Sequence, residues 1–155
     1  MALMKDLRTQ LQDHLDANQI KNGQNVERLI DTSSEKTIES SKQLISSSLI
    51  HAADISTSIR SFDISQTWAD KLFEEFFDQG DAEKSKGLEI SFLCDRKTTE
   101  IAGGQAGFIQ FVVIPIFKQL SDLSPAIEQL QIKSASSNIN SFNEQAKSLA
   151  SKKNA

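Results

Sequence analysis

Several residue types that carry cross-links, chain breaks or special chemistry are scarce in this sequence. There is one cysteine, Cys94, so no internal disulfide can form and a reducing compartment fits best. Two prolines and six glycines force few breaks. Tyrosine is absent, and nine phenylalanines with Trp68 carry the aromatic load. Only two histidines occur, His14 and His51, which limits any imidazole-based site. No basic block exists apart from Lys152-Lys153, and the formal net charge is -4. Neutralising several phosphates needs clustered Lys or Arg, so a nucleic-acid backbone binder is excluded. No apolar run approaches the roughly 20 residues of a membrane span. The longest, around Phe108–Phe117, is interrupted by Gln110 and contains Pro115. With Lys5, Asp6 and Arg8 close together, no signal-peptide core is visible in the first residues. The expectation is a soluble, cytoplasmic chain without a membrane span.

What is present reads as helix. Leu3, Leu7, Leu11 and Leu15 recur every fourth residue, a helical stripe ended by the turn signal Asn22-Gly23. Asn25–Asp31 suits a short helix. Thr32-Ser33-Ser34 offers N-caps for a helix with Ile38, Ile45 and Leu49 at helical spacing, ending near Ala53. Ser56–Asp63 reads as a loop. Ser65 is a plausible N-cap for a helix with Trp68, Leu72 and Phe76 at i, i+4 and i+8, stopped by Gly80. A short charged helix, Asp81–Lys86, would stop at Gly87. Asp95–Leu123 holds a long apolar face in which Pro115 bends the helix or sits where a missing hydrogen bond is tolerated. Ser124-Pro125 opens a last helix with Ile132, Ala135, Ile139, Phe142, Ala146 and Leu149 three and four apart. No stretch sustains period-two alternation, so the fold class is all-α.

For chemistry, His51 and Asp54 stand three apart near a helix end and can share a face. Asp is a hard oxygen ligand suited to Mg²⁺ or Mn²⁺ and tolerated by Zn²⁺. The pair alone reads first as a structural histidine and a helix-end cap or ion-pair partner. Trp68, Phe73 and Phe77 read as core, and Cys94 as a small buried hydrophobe. Asp81 and Asp95 read as a helix cap and an ion-pair partner. Gln105 lies in an otherwise apolar stripe, where its amide needs a partner. Gln105 and Phe108 are i and i+3, so both can address one ligand.

The stretch His51-Ala52-Ala53-Asp54-Ile55-Ser56 resembles the H-x-A-D-(I/L)-S motif of class I cyclic-nucleotide phosphodiesterases. Glu74–Asp81 is similar to that family's E-E-F-F-x-Q-G-D, Gly87–Ser91 to its G-(L/M)-x-I-S, Cys94–Arg96 to its C-D-(R/K), and Gln105–Ile109 to its Q-x-G-F-I. The order and spacing agree, and the resemblance is firmest over residues 44–120. It implies a multi-helix metallohydrolase domain of the HD type that cleaves the 3′ phosphoester of cyclic AMP or cyclic GMP. By the same resemblance Asp54 matches a metal ligand, Gln105 the purine-holding amide, Phe108 the stacking ring, Leu72 the opposite wall of that clamp, and Phe76 its lining.

The resemblance also implies two divalent cations, zinc with magnesium or manganese. The family holds them with two His and two Asp, most of them in motifs of the form H-N-x-x-H-A-x-D and H-D-x-x-H-P-G. This chain has neither motif, and one catalytic metal alone needs about three protein ligands. Thr57-Ser58 stands where the family has Asn-Pro, Phe92 where it has Pro, and Gly103-Gly104 adds backbone freedom before Gln105. The expectation is therefore the C-terminal half of a phosphodiesterase catalytic domain over residues 1–123, with a terminal helix and polar tail over residues 124–155. It would bind a cyclic nucleotide, have no complete catalytic set of its own, and be inactive alone. The alternative is a non-catalytic helical interaction module that pairs with its own copy or with a full-length relative.

Overall fold

The computed structural model describes residues 2–153, with side chains from residue 6 to residue 152. Among the described residues there are helices and turns and no strand, as the all-α reading expects. Seven α-helical segments follow one another: α1 (Ala2–Ala17), α2 (Glu35–Asp54), α3 (Phe62–Ser85), α4 (Ile101–Phe108), α5 (Ile114–Ser121), α6 (Pro125–Ile127) and α7 (Lys133–Lys153). Short 3₁₀ turns occupy Val26–Arg28 and Ser56–Ile59, and π-helical turns occupy Ile109–Val113 and Glu128–Ile132. The chain forms two compact units, Met1–Ser56 with Val112–Lys133, and Thr57–Phe111 with Ser134–Ala155.

In the first unit α1 packs on α2 and α5. Leu11 and Leu15 are buried and Leu7 is half-buried, as the four-residue stripe predicts, while the side chain of Leu3 lies outside the described residues. Ser34 starts α2 with a capping box: Thr37 N–H donates to Ser34 Oγ at 3.2 Å, and Ser34 N–H donates to Thr37 Oγ1 at 2.9 Å. Such caps contribute about 1 kcal/mol. The buried line of α2 is Ser41, Ile45, Ser48 and Ala52; of the predicted line Ile45 is buried, Ile38 is half-buried and Leu49 is exposed. Small residues win that face because Ser41 and Ser48 return their hydroxyls to the carbonyls of Thr37 and Leu44, both at 2.8 Å. Gly23, with φ +75°, donates its N–H to Asp122 O at 2.8 Å, and a Cβ there would stand 3.0 Å from Pro125 Cδ.

In the second unit α3 starts at Phe62, so Ser65 is a buried helix-interior residue and not the cap. The helix also continues through Gly80 to Ser85, where two helices were expected. Gly80 serves closeness instead of termination. A Cβ on it would lie 2.0 Å from the Cys94 carbonyl oxygen. Gly87, with φ +69°, is the residue that ends the helix. The following loop is tied back to α3: Ser91 N–H and Oγ each donate to Glu83 at 2.7 Å, and Arg96 Nε donates to Asp81 at 2.8 Å. Arg96 also pairs with Asp78 and lies over the Phe77 ring, 5.2 Å from its centroid. On α7 the buried line is Ala135, Asn138 and Phe142. Phe142 meets Phe62 edge-on at 5.0 Å. Asn138 Nδ2 donates to the carbonyls of Ser58 and Arg60, both at 2.9 Å, fixing the turn that contains Thr57.

The run Ile101–Ser121 is one helical stretch of 21 residues, long and apolar enough by length and composition to cross a membrane. This revises the expectation drawn from unbroken apolar segments, because Gln110 and Pro115 interrupt the sequence run without ending the helix. The same stretch supplies Ile109, Val113, Ile116, Phe117 and Leu120 as buried residues. Pro115 lies in the first turn of α5, directly after the π-helical turn. A proline lacks an N–H and crowds the carbonyl four residues back, and the wider turn accommodates both demands.

Candidate functional site

α4 begins at a side-chain cap. Glu100 accepts from Ala102 N–H at 3.1 Å through Oε1 and from Gly103 N–H at 2.7 Å through Oε2. A Cβ on Gly103 would stand 2.4 Å from that Oε2, so a side chain there would push the capping carboxylate aside, while nothing lies near the corresponding position of Gly104. One turn further along, Gln105 is 8% exposed. Among the described residues its amide has no hydrogen-bond partner, yet neither amide atom is sealed from solvent, so the amide of this largely buried residue stays open to a ligand. Phe108 follows at i+3 and is half-buried.

α3 packs against α4 within the second unit. Its buried line is Ser65, Ala69, Phe73 and Gly80. Phe73 braces Phe76 edge-on, with ring centroids 5.7 Å apart, and Phe76 is half-buried. Leu72 is 43% exposed. Trp68, expected in the core, is 55% exposed, because it sits one position off the buried line and shares its face with Ile64 and Leu72. Phe73 is buried as expected, and Phe77 is half-buried beneath Arg96. Two acidic residues take other roles than expected. Asp81 is the ion-pair partner, and Asp95 accepts from Lys97 N–H at 2.9 Å in a turn. Cys94 is buried, and that burial pushes its thiol up from the ordinary value, which keeps it protonated and unreactive.

In the first unit Asp54 ends α2, exposed and without a hydrogen bond or ion pair among the described residues. His51 does not turn its buried nitrogen toward a shared ligand set. Its Nε2 is buried with no partner. The ring lines a cavity of about 10 Å³ with Leu7, Arg8, Leu11, Ser48, Ile116 and Gln119. That volume suits a single water and no hydrated cation. His14 is structural, its Nε2 2.8 Å from the Leu29 carbonyl. Among the described residues no group of three or more His, Cys, Asp or Glu side chains could hold a metal. The residues present therefore do not fit a catalytic metal centre.

Sequence reasoning missed Glu100, Asn138 and Glu83, polar residues that apolar spacing does not mark. Glu100 had a local signal, an acid placed immediately before an apolar helix. The partners of Asn138 lie 78 and 80 residues away, beyond any local pattern.

The geometry defines an all-helical chain with a largely buried glutamine, its amide open to solvent, one turn from an aromatic ring. Residues 1–135 match the family described as 3′5′-cyclic nucleotide phosphodiesterase, and the chain belongs to that family. It is similar to the human dual specificity calcium/calmodulin-dependent 3′,5′-cyclic nucleotide phosphodiesterase 1C, 46% identical over 92 residues, which are 59% of this chain and 13% of the relative. It is also similar to the high affinity cGMP-specific 3′,5′-cyclic phosphodiesterase 9A of Pan troglodytes, 40% identical over 84 residues, 54% of this chain and 14% of that one. The structure of LmjPDEB1 in complex with IBMX superposes with a TM-score of 0.76 and 28% identity, over 96% of this chain and 40% of the neighbour. The chain thus spans a minor part of each of these proteins.

Proposed function

We propose that this chain is the nucleotide-reading part of a cyclic-nucleotide phosphodiesterase catalytic domain and performs no hydrolysis by itself. One observation carries the reading: Gln105 is largely buried on α4, with an amide that is open to solvent and bonded to no described protein group, one turn from Phe108. An amide that donates and accepts at once matches a purine edge, and a ring at i+3 matches its face. Leu72 and Phe76, on the helix packed against α4, form the opposite wall of the clamp. Asp54 serves as one metal ligand where a complete centre exists. The remaining ligands for a zinc and magnesium or manganese pair are not among the described residues, so no hydrolytic step is assigned to this chain. The substrate class is cyclic AMP or cyclic GMP, and the setting is the cytoplasm.

The test is titration of the chain with cyclic AMP and cyclic GMP by NMR, beside a hydrolysis assay with Mg²⁺ and Zn²⁺ and a chelator control. Saturable shifts in α4, weakened about tenfold in Gln105→Ala, are expected, which is roughly 1.4 kcal/mol. Turnover is expected to be absent. Unchanged binding in Gln105→Ala would remove the clamp reading. Chelator-sensitive turnover lost in Asp54→Ala would mean that a metal centre assembles after all.

A further inference from the structure

The buried nitrogen of His51 is the least explained polar atom near a predicted functional residue. An imidazole nitrogen sealed from solvent without a partner is unfavourable by roughly the cost of a lost hydrogen bond. The cavity it shares is about 10 Å³, close to the minimum that admits one water, and its lining is not wholly apolar. Gln119 uses its amide N–H groups on Arg8 O at 2.8 Å and Gln12 Oε1 at 3.2 Å. Its own carbonyl oxygen has no partner among the described residues. Ser48 Oγ donates to Leu44 O and retains lone pairs. A water in that cavity would have three polar residues from α2 and α5 in its lining, His51, Ser48 and Gln119. Arg8 is the only charged group in the lining.

We infer that His51 is a positioning residue, which fixes the Asp54 end of α2 to α5 and α1 through one buried water shared with Gln119. His51 lies on the last turn of α2, its carbonyl accepting from Ile55 N–H at 3.3 Å just beyond Asp54. Gln119 is stitched to α1 through the Arg8 carbonyl. Asp54 has no partner of its own among the described residues, so the placement of its carboxylate depends on the rigidity of this helix end. The functional part of this inference rests on the reading of Asp54 as a ligand. The water and its mechanical effect do not.

The experiment combines water–protein cross-relaxation at the His51 ring with amide hydrogen exchange of residues 52–55 in the intact chain. The wild type is expected to show a long-lived water at the ring. His51→Leu and Gln119→Leu are expected to raise exchange at 52–55 about fivefold, the worth of one hydrogen bond, relative to amides 41–48 of the same helix. His51→Gln, which can still bond a water, is expected to restore most of the protection. A rise that is uniform along α2 would mean general destabilisation and would overturn the inference, as would the absence of a long-lived water. Gln119→Leu reaches the same conclusion if His51→Leu does not fold. None of these readouts requires nucleotide binding, so their failure and failure of the Gln105 clamp are separately visible.

Discussion

At the scale of single residues, the absence of a side chain is as specific as its presence. Gly80 and Gly103 are both helical glycines, and a propensity argument treats them alike, each about 1 kcal/mol worse than alanine. Their surroundings differ. A methyl on Gly80 meets backbone, with the Cys94 carbonyl oxygen at 2.0 Å and its carbon at 2.8 Å. Backbone cannot rotate away, so either the Cys94 turn or the helix must shift. Overpacking of this kind costs roughly 1–3 kcal/mol, more than the propensity gain. Gly80→Ala is therefore expected to lower the urea midpoint clearly and to make the buried Cys94 thiol reactive toward a disulfide reagent. A variant as stable as wild type, with Cys94 still protected, would show that the loop relaxes without cost.

At the scale of elements, caps and tethers decide where helices begin and how loops lie. Glu100 caps α4, and Glu100→Ala is expected to cost about 1 kcal/mol in chemical denaturation. Gly103→Ala also displaces that carboxylate, yet gains about 1 kcal/mol of helix propensity, so its net effect is expected to be near zero. Equal destabilisation by both would contradict the cap. The loop after α3 depends on Glu83, whose carboxyl is held below its ordinary value of 4.5 by hydrogen bonds from Gln79 and from Ser91. A depressed carboxylate stabilises above its unfolded value, and that contribution disappears as pH falls through the lower folded value. The Ser91 amide resonance is thus expected to titrate with a midpoint below 4.5 and to be flat in Glu83→Gln. A midpoint at or above that value would remove the tether. These elements also show how far local sequence reaches. The α1 stripe, the Ser34 cap and the Ser124-Pro125 start were legible because each is a pattern within one helix or at its first turn. The face of α2 was not, since buried serines that bond their own helix look polar on paper. Gly80 was misread as a stop because the carbonyl that needs it belongs to a residue fourteen positions away. Of the site, Gln105 stood out as a polar residue in an apolar stripe, whereas the outward turn of Trp68 depends on the packing of its whole helix.

At the scale of the whole molecule, the exposed apolar residues form lines. Scattered exposed hydrophobics need no explanation, but Ile64, Trp68 and Leu72 at 47%, 55% and 43% exposure lie along one face of α3. Leu72 is also one of the residues assigned to the nucleotide clamp, so association through this face and ligand binding would compete. Burying a large apolar side chain contributes roughly 1.5–3 kcal/mol, so removing two of them from a self-association surface should weaken it by about a hundredfold or more. The chain is expected to associate with rising concentration in sedimentation velocity, with Trp68 emission shifting to the blue as it does so. Ile64→Gln with Leu72→Gln is expected to move that transition to about hundredfold higher concentration while leaving helicity unchanged, since both side chains face outward. Added cyclic nucleotide is expected to oppose association in the wild type, because the same surface cannot be in both places. A monomer with water-exposed Trp68 emission at every concentration would show that the face is stable in solvent, and would leave the nucleotide as the occupant of Leu72.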